Sequence, residues 1–153
     1  MKISLLVVGK TSFPYIQQGI EDYAKRLKRW IDFEITVIKD SKLQEVERIK
    51  KQEAEYLHEK IDNQDFVILL DERGRHFSSL EFAKKIEEFQ ERNKKIVFVI
   101  GGAYGFDNSI YDRANVQLSF SDMTFSHQII RLMFMEQLYR AYTIIQGLPY
   151  HHQ

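Results

Sequence analysis

The stretch FVIGGAYGF, residues 98–106, decides the fold that the sequence predicts. Three apolar residues are followed at once by Gly101 and Gly102, and another glycine comes at position 105. A short, fully apolar run is typical of a strand that is buried on both faces of a sheet. Glycines directly after such a strand let bare backbone approach a ligand closely. This strand end is therefore the first candidate site.

Two more short apolar runs also end in residues typical of turns. Residues 66–70 stop at Asp71, and residues 116–120 are followed by Ser121 and Asp122. In a parallel sheet, ligands bind outside the carboxyl ends of the strands. The three strand ends are therefore predicted to form one site.

The rest of the chain alternates between strand and helix patterns. This alternation favours an α/β domain with a mostly parallel sheet and helices on both faces. Residues 72–74 are predicted as a turn, and Ser78 or Ser79 as the cap of the following helix, with Glu81 in its first turn. Further strands are predicted at residues 3–8 and 33–38, and helices at 15–30, 43–60 and 125–146. The helix at 43–60 has only a thin apolar stripe and is interpreted as solvated.

Length and composition indicate a single globular domain spanning residues 1–153, with 44% apolar and 29% charged residues. The absence of cysteine excludes a disulfide scaffold, a cysteine zinc site and a thiol nucleophile. Lysine and arginine number 22 against 22 acidic residues, whereas nucleic-acid binders usually show a basic excess. No apolar run approaches the roughly 20 residues that span a bilayer, so we expect a cytoplasmic protein without a membrane partner.

The glycine pattern at residues 101–105 matches neither the dinucleotide fingerprint nor the phosphate-binding loop. No lysine follows it, which argues against a bound triphosphate. Spacing alone favours an ordinary strand–turn–helix junction over a binding loop. The two further strand ends of suitable chemistry raise the weight of the binding interpretation.

The segment LSFSDMTFSHQIIR, residues 118–131, mixes hydroxyl groups with large apolar side chains. Such a mixture is suited to a pocket for a ligand that is part apolar and part polar. The alternative is a helix entry in which Thr124 or Ser126 is the N-cap and Phe125 the staple residue. The two interpretations are compatible.

The last helix is apolar on nearly every side, which predicts that a second subunit covers part of it. Glu136 and Arg140 have the spacing of an ordinary intrahelical ion pair. Arg131 has no acid three or four residues away, so a ligand phosphate or a backbone carbonyl is its expected partner. The tail GLPYHHQ lacks a third metal ligand, so no metal is expected. It is either a disordered terminus or a contact for a nucleobase through Tyr150 and His151.

Several of these segments together resemble the ribosomal RNA large subunit methyltransferase H family, within the SPOUT class of methyltransferases. The resemblance covers the whole chain and is weakest between residues 40 and 62. The matching pieces are MKISLLVVGK, LLDERG, FVIGGAYGF, LSFSDMTFSHQIIRLMFMEQLYRAYTI and PYHH.

The resemblance implies a C-terminal trefoil knot, a homodimer, and S-adenosylmethionine as methyl donor. It implies methylation at N3 of a pseudouridine in 23S rRNA on the assembled ribosome. Asp122 departs from the basic or small residue expected there. The residues expected to bind the donor are Leu70, Asp71, Gly101, Gly102, Phe120, Ser121, Asp122, Met123, Thr124 and Phe125.

The catalytic roles are predicted from residue type and from this resemblance. His151 is the candidate general base, and Arg131 or Arg140 the group that stabilises an oxyanion or binds phosphate. Tyr150 is expected to stack on the target base. Two alternatives stay open: a related SPOUT methyltransferase acting on tRNA, and a non-catalytic ribosome-binding protein.

Overall fold

The computed structural model describes residues 1–152 and contains one five-stranded sheet in the order β2-β1-β4-β3-β5. All four pairings between neighbouring strands are parallel. The strands are β1 (Lys2–Val8), β2 (Asp32–Ile38), β3 (Phe66–His76), β4 (Lys95–Ile100) and β5 (Val116–Ser119). The predicted α/β class with a parallel sheet is confirmed.

Five helices cover both faces of the sheet. They are α1 (Pro14–Leu27), α2 (Val46–Lys60), α3 (Ser79–Arg92), α4 (Asn108–Arg113) and α5 (Ile129–Ile145). Alternate residues of each strand point to opposite faces, so Leu5 of β1 packs with the cluster that includes α1, α3 and α5, while Leu6 packs with α2 and α4. The central strands are therefore rich in apolar residues, because both their faces are buried.

The structure corrects three sequence predictions. Residues 72–74 do not end β3, because this strand continues to His76 after an irregularity in which both Leu70 and Arg75 are register partners of Leu118. The strand predicted at 116–120 ends at Ser119. The helix predicted at 125–146 spans Ile129–Ile145.

Two helix starts agree with the expected capping chemistry. Ser78 and Glu81 form a reciprocal capping box at the start of α3. Before α5, the hydroxyl of Ser126 accepts a hydrogen bond from the backbone N–H of Ile129 at 3.1 Å. Helix α4 was not predicted, and its N-cap is Asp107. The trefoil knot stays a prediction.

Candidate functional site

The carboxyl ends of three adjacent strands, β4, β3 and β5, open onto one cavity of about 730 Å³. Nine of the ten residues predicted to bind the donor line it; the exception is Asp122. The nine are Leu70, Asp71, Gly101, Gly102, Phe120, Ser121, Met123, Thr124 and Phe125. The structure thus brings the three predicted strand ends together, while the role of these residues in binding stays a prediction.

The glycine loop after β4 forms one wall of this cavity. A Cβ atom added at Gly101 would lie 3.0 Å from the ring of Phe106, so a larger residue would have to displace that ring. The loop turns tightly, with the N–H of Gly105 donating to the carbonyl of Gly102 at 3.2 Å. Gly105 has a φ of 81°, in the left-handed region that favours glycine. The loop therefore presents bare backbone to the cavity.

The irregular part of β3 forms the rim beside this loop. The Asp71 carboxylate accepts hydrogen bonds from the Tyr111 hydroxyl and from the backbone N–H of Arg73. The Arg73 guanidinium donates to the Tyr111 oxygen at 2.6 Å and lies 4.9 Å from the centre of its ring. Burial, and then the hydrogen bond to Asp71, raise the pKa of Tyr111. Tyr111 therefore stays a neutral hydroxyl that holds the rim together.

The segment after β5 forms the opposite side of the cavity. The Ser121 hydroxyl accepts from the backbone N–H of Met123 at 3.0 Å, and Thr124 donates to Glu72 on the β3 rim at 3.0 Å. Met123 is 74% exposed. The interleaved hydroxyls therefore fix the turn, and they leave a large apolar side chain uncovered beside the cavity.

Asp122 is the one predicted donor-binding residue that does not line the cavity. Its side chain is 96% exposed and lies 3.3 Å from Nε2 of His76. It is therefore a solvated turn residue.

The structure corrects the expected catalytic position of Arg131. Its side chain is completely buried and donates to the carbonyls of His127, Gly9 and Val8 at 2.8–2.9 Å, and to the hydroxyl of Thr11 at 3.0 Å. Burial lowers its pKa to about 10, so it remains protonated at neutral pH. Backbone carbonyls are its partners, and Arg131 fixes the end of β1 instead of facing a ligand.

The other three predicted catalytic residues form a cluster at the far end of α5. The Glu136 carboxylate accepts from Arg140 at 2.5 and 3.1 Å and from the Tyr150 hydroxyl at 3.1 Å. The Arg140 guanidinium lies 4.8 Å from the Tyr150 ring centre and 3.1 Å from Nδ1 of His151. We call Glu136, Arg140, Tyr150 and His151 the tail cluster.

A glycine turn directs the tail back onto α5. Gly147 has a φ of 68°, and its N–H donates to the carbonyl of Ile144 at 3.1 Å. The N–H of Leu148 donates to the carbonyl of Thr143 at 2.8 Å, which completes a Schellman motif. The described tail is therefore ordered by contacts within its own chain.

The tail cluster constrains the tautomer of His151. A guanidinium can only donate hydrogen bonds, so Nδ1 of His151 must accept from Arg140. This contact fits the tautomer that carries its proton on Nε2. In this arrangement Nε2 of His151 is an N–H donor, and the lone pair of Nδ1 already accepts from Arg140. The predicted role of His151 as general base therefore requires the contact with Arg140 to break.

The charges that line the cavity nearly balance. Asp71 and Glu72 are negative, and Lys50 and Arg73 are positive. Burial and the charge of Arg131 lower the pKa of His127, so this side chain is neutral at pH 7. Such a lining suits a ligand that carries both charges and an apolar part.

Sequence reasoning missed several lining residues. Lys50 lies on a helix that was interpreted as solvated, and Tyr111 on a helix that was not predicted. The capping pair Asp107 and Ser109 was the available signal for α4. Other lining residues were not named individually, although most lie in the predicted stretches 98–106 and 118–131: Glu72, Arg73, Ile100, Ala103, Tyr104, Gly105, Phe106, Leu118, Ser119, Ser126, His127 and Ile130.

Two classes of feature are absent from residues 1–152. They contain no group of three or more histidine or acidic side chains that is arranged to hold a metal ion. Nor does any helix in this range combine the length and apolar character that crossing a membrane requires.

Comparison with known proteins places this geometry in context. The family model described as "Predicted SPOUT methyltransferase" matches residues 1–151. A protein of Phocaeicola vulgatus is 48% identical over 157 aligned positions, which cover 100% of both chains. Relatives from Bacteroides thetaiotaomicron and Flavobacterium johnsoniae are 46% and 45% identical over the full length of both chains. All three are named Ribosomal RNA large subunit methyltransferase H.

Proposed function

The chain belongs to the SPOUT methyltransferase family, and from that membership we propose that it methylates RNA of the large ribosomal subunit with S-adenosylmethionine as donor. The target we propose is N3 of a pseudouridine in 23S rRNA, as the family resemblance implies. The protein would then work in the cytoplasm, on the assembled ribosome.

The observation that carries this proposal is the convergence of three strand ends on one cavity. Its volume of about 730 Å³ is within the range of sites for small ligands. Leu70, Leu118 and Phe120 offer apolar surface for an adenine, and the glycine loop offers backbone for polar contacts. A neutral heterocycle also explains why no lysine follows the glycines in the sequence.

The chemistry requires alignment and a proton acceptor. When bound, the donor supplies a methyl group on a sulfonium, whose C–S bond breaks with the electron pair remaining on sulfur. N3 of the target ring carries a proton that must leave as the new N–C bond forms, so negative charge develops on the ring oxygens beside it. Arg140 and Nε2–H of His151 are donors that would stabilise this charge. The proton would pass to water, or to His151 if its contact with Arg140 breaks.

The tail cluster cannot reach the cavity of its own chain without moving. Ile130 lines the cavity and Arg140 lies ten residues further along α5, which corresponds to roughly 15 Å along a helix. We therefore propose a homodimer in which the tail cluster of one subunit completes the cavity of the other.

Incompletely buried apolar residues on α5 support the dimer. This helix is apolar all round, and its own chain leaves part of that surface half-buried. The half-buried apolar residues are Ile129, Ile130, Leu132, Met133, Ile144 and Ile145. A two-fold axis would place the same surface of both subunits in contact.

A complementation experiment tests the shared site. Gly101→Leu places a large side chain at the cavity wall, and Arg140→Met removes a donor from the tail cluster, so each variant alone should have very low activity. In an equal mixture of refolded subunits, half of the dimers contain one copy of each variant. Each of these mixed dimers has one intact site of its two, so about a quarter of wild-type activity should return. No recovery, with mixed dimers present by native mass spectrometry, would place the tail in its own cavity.

Mapping of modified nucleosides tests the substrate. Deletion of the gene should remove one N3-methylpseudouridine from 23S rRNA, and the wild-type gene, but not the Gly101→Leu variant, should restore it. Loss of a tRNA modification instead would favour a tRNA methyltransferase. An unchanged set of modifications would favour a non-catalytic ribosome-binding protein.

The near-zero net charge supports the assembled ribosome as substrate. Affinity for naked RNA comes largely from cations that neutralise phosphates, and this chain has no excess of them. Side-by-side assays should therefore give much faster methylation of ribosomes than of purified 23S rRNA. Equal rates would show that the RNA alone carries recognition.

A further inference from the structure

Helix α2 contributes one charged side chain, Lys50, to the cavity. This residue lies far in sequence from the three strand ends, in the segment where the family resemblance is weakest. The cavity side of α2 also carries Glu53, one turn further along. The helix that was interpreted as solvated therefore helps to build the site.

Glu53 holds α2 against the glycine loop. Its side chain is buried, and its Oε2 accepts from the backbone N–H of Ser41 at 3.1 Å. Its Oε1 would lie only 3.0 Å from a Cβ added at Gly102, so the carboxyl group packs directly on the loop backbone. Burial, and then the nearby charge of Asp40, raise the pKa of Glu53. These contacts fix the position of Lys50 relative to the cavity wall.

The ammonium group of Lys50 lacks a close partner. Its side chain is 23% exposed, and the ion pair with Glu47 spans 3.7 Å, which is too long for a hydrogen bond. Glu47 is itself 79% exposed, and the charge of Lys50 also acts on Asp107 at the start of α4. Nζ makes no hydrogen bond to residues 1–152, although an ammonium has three donors. A partly buried cation of this kind is suited to an anionic ligand group.

The other cationic groups of the cavity are less available. The Arg73 guanidinium is stacked on Tyr111, hydrogen-bonded to its hydroxyl and 3.7 Å from the Asp71 carboxylate. His127 is neutral at pH 7, as described above. Among the described residues that line the cavity, Lys50 is therefore the partly buried cation without a hydrogen bond, whereas the Arg73 side chain is 71% exposed and donates to Tyr111.

We propose that Lys50 binds the carboxylate of the donor's methionyl group. This inference rests on the proposed function, because it takes S-adenosylmethionine as the ligand of the cavity. The donor carries its carboxylate at the end opposite to the adenine. An ammonium–carboxylate contact in a partly buried site is a charge-assisted hydrogen bond, which is stronger than a neutral one.

Binding measurements with two ligands test the proposal without any methyl transfer. S-adenosylhomocysteine contains the carboxylate, whereas 5′-methylthioadenosine keeps the adenosyl sulfur and lacks the amino-acid group. We expect Lys50→Met to weaken binding of S-adenosylhomocysteine about tenfold in calorimetry. The same variant should leave the affinity for 5′-methylthioadenosine unchanged. Lys51→Met is the matched control, because Lys51 is exposed on the same helix and does not line the cavity.

The other outcomes are distinguishable. Equal weakening of both ligands by Lys50→Met would overturn the proposal, because it would indicate a general change in the cavity. Unchanged affinity of Lys50→Met for S-adenosylhomocysteine would also overturn the proposal. If that variant also bound ribosomes more weakly, Lys50 would be assigned to an RNA phosphate. If the wild-type protein binds neither ligand, the proposed donor itself is wrong and the role of Lys50 falls with it.

Discussion

The two ends of α5 carry two arginines, Arg131 and Arg140, in opposite environments. Arg131 is completely buried and donates to three backbone carbonyls and one hydroxyl of its own chain. Arg140 is 25% exposed, pairs with Glu136 and contacts the tail. From the sequence, both were candidates for the same catalytic role. The structure shows the first bound to backbone carbonyls of the fold and the second partly exposed in the tail cluster, where its catalytic role stays a prediction.

This difference separates the two halves of the site. The first end of α5 adjoins a cavity that is completely built within one chain. The other end carries the donors of the tail cluster, none of which is among the residues that line the cavity of about 730 Å³. In the dimer that we propose, a second copy of the chain would bring the donor-binding cavity and the tail cluster together.

Replacing Arg131 should have the largest effect on stability. Arg131→Met leaves three buried carbonyl oxygens without their donor, so we expect the free energy of unfolding to fall by about 3–5 kcal/mol. For a chain of this length, the melting temperature should fall by roughly 10 °C. Denaturant and thermal unfolding measure both quantities.

The control for this variant is Arg48→Met, at an exposed position of α2. Its stability should stay within about 0.5 kcal/mol of the wild type. If Arg131→Met were equally stable but catalytically inactive, Arg131 would be a catalytic residue after all, and the contrast between the two ends of α5 would be wrong.

Replacing Arg140 should mainly affect the rate. A partly exposed i,i+4 ion pair contributes about 1 kcal/mol or less to stability, so Arg140→Met should unfold almost like the wild type. Loss of a donor to the developing oxyanion should lower the single-turnover rate at saturating donor by about a hundredfold. A full rate in this variant would remove the tail cluster from the chemistry.

The sequence predicted the fold well where the periodicity was strong. Each predicted strand has a counterpart, because short runs such as residues 96–100 are apolar on both faces. The prediction failed where backbone geometry competes with residue preference. Glu72, Arg73 and Gly74 favour a turn locally, yet pairing with β5 resumes at Arg75 and keeps this stretch within β3.

The candidate site was only partly predictable. The strand ends predicted from the sequence lie at the cavity, because the carboxyl ends of parallel strands lie at the same edge of the sheet. Lys50 and Glu53 were missed because only the packing of α2 against the glycine loop brings them there. Arg131 was misassigned because sequence spacing cannot show that the end of β1 supplies its carbonyl partners.

The pH dependence of stability sharpens the contrast at the cavity end of α5. Burial and the charge of Arg131 lower the pKa of His127 below its ordinary value of 6.5. Below pH 6.5 the unfolded chain therefore binds more protons than the folded chain, and this contribution to stability is lost as the pH falls. His127→Gln should reduce the loss of unfolding free energy between about pH 7.5 and pH 5.5. The control His152→Gln, at an exposed position of the tail, should lose as much unfolding free energy as the wild type. If the wild type and both variants had the same pH dependence of stability, the lowered pKa of His127 would be contradicted.

The smallest effect is expected at the tail end, from removing one oxygen atom. The Tyr150 hydroxyl donates to Glu136, and the ring packs on Arg140 and Tyr139, with centroids of the two tyrosines 4.9 Å apart. Glu136 keeps both contacts from Arg140 in Tyr150→Phe, so the loss of stability should be about 1 kcal/mol or less. If the ring acts by stacking on the target base, this variant should keep its single-turnover rate, whereas Tyr150→Ala should lose about tenfold. A Phe variant as slow as the Ala variant would instead assign the role of Tyr150 to its hydroxyl.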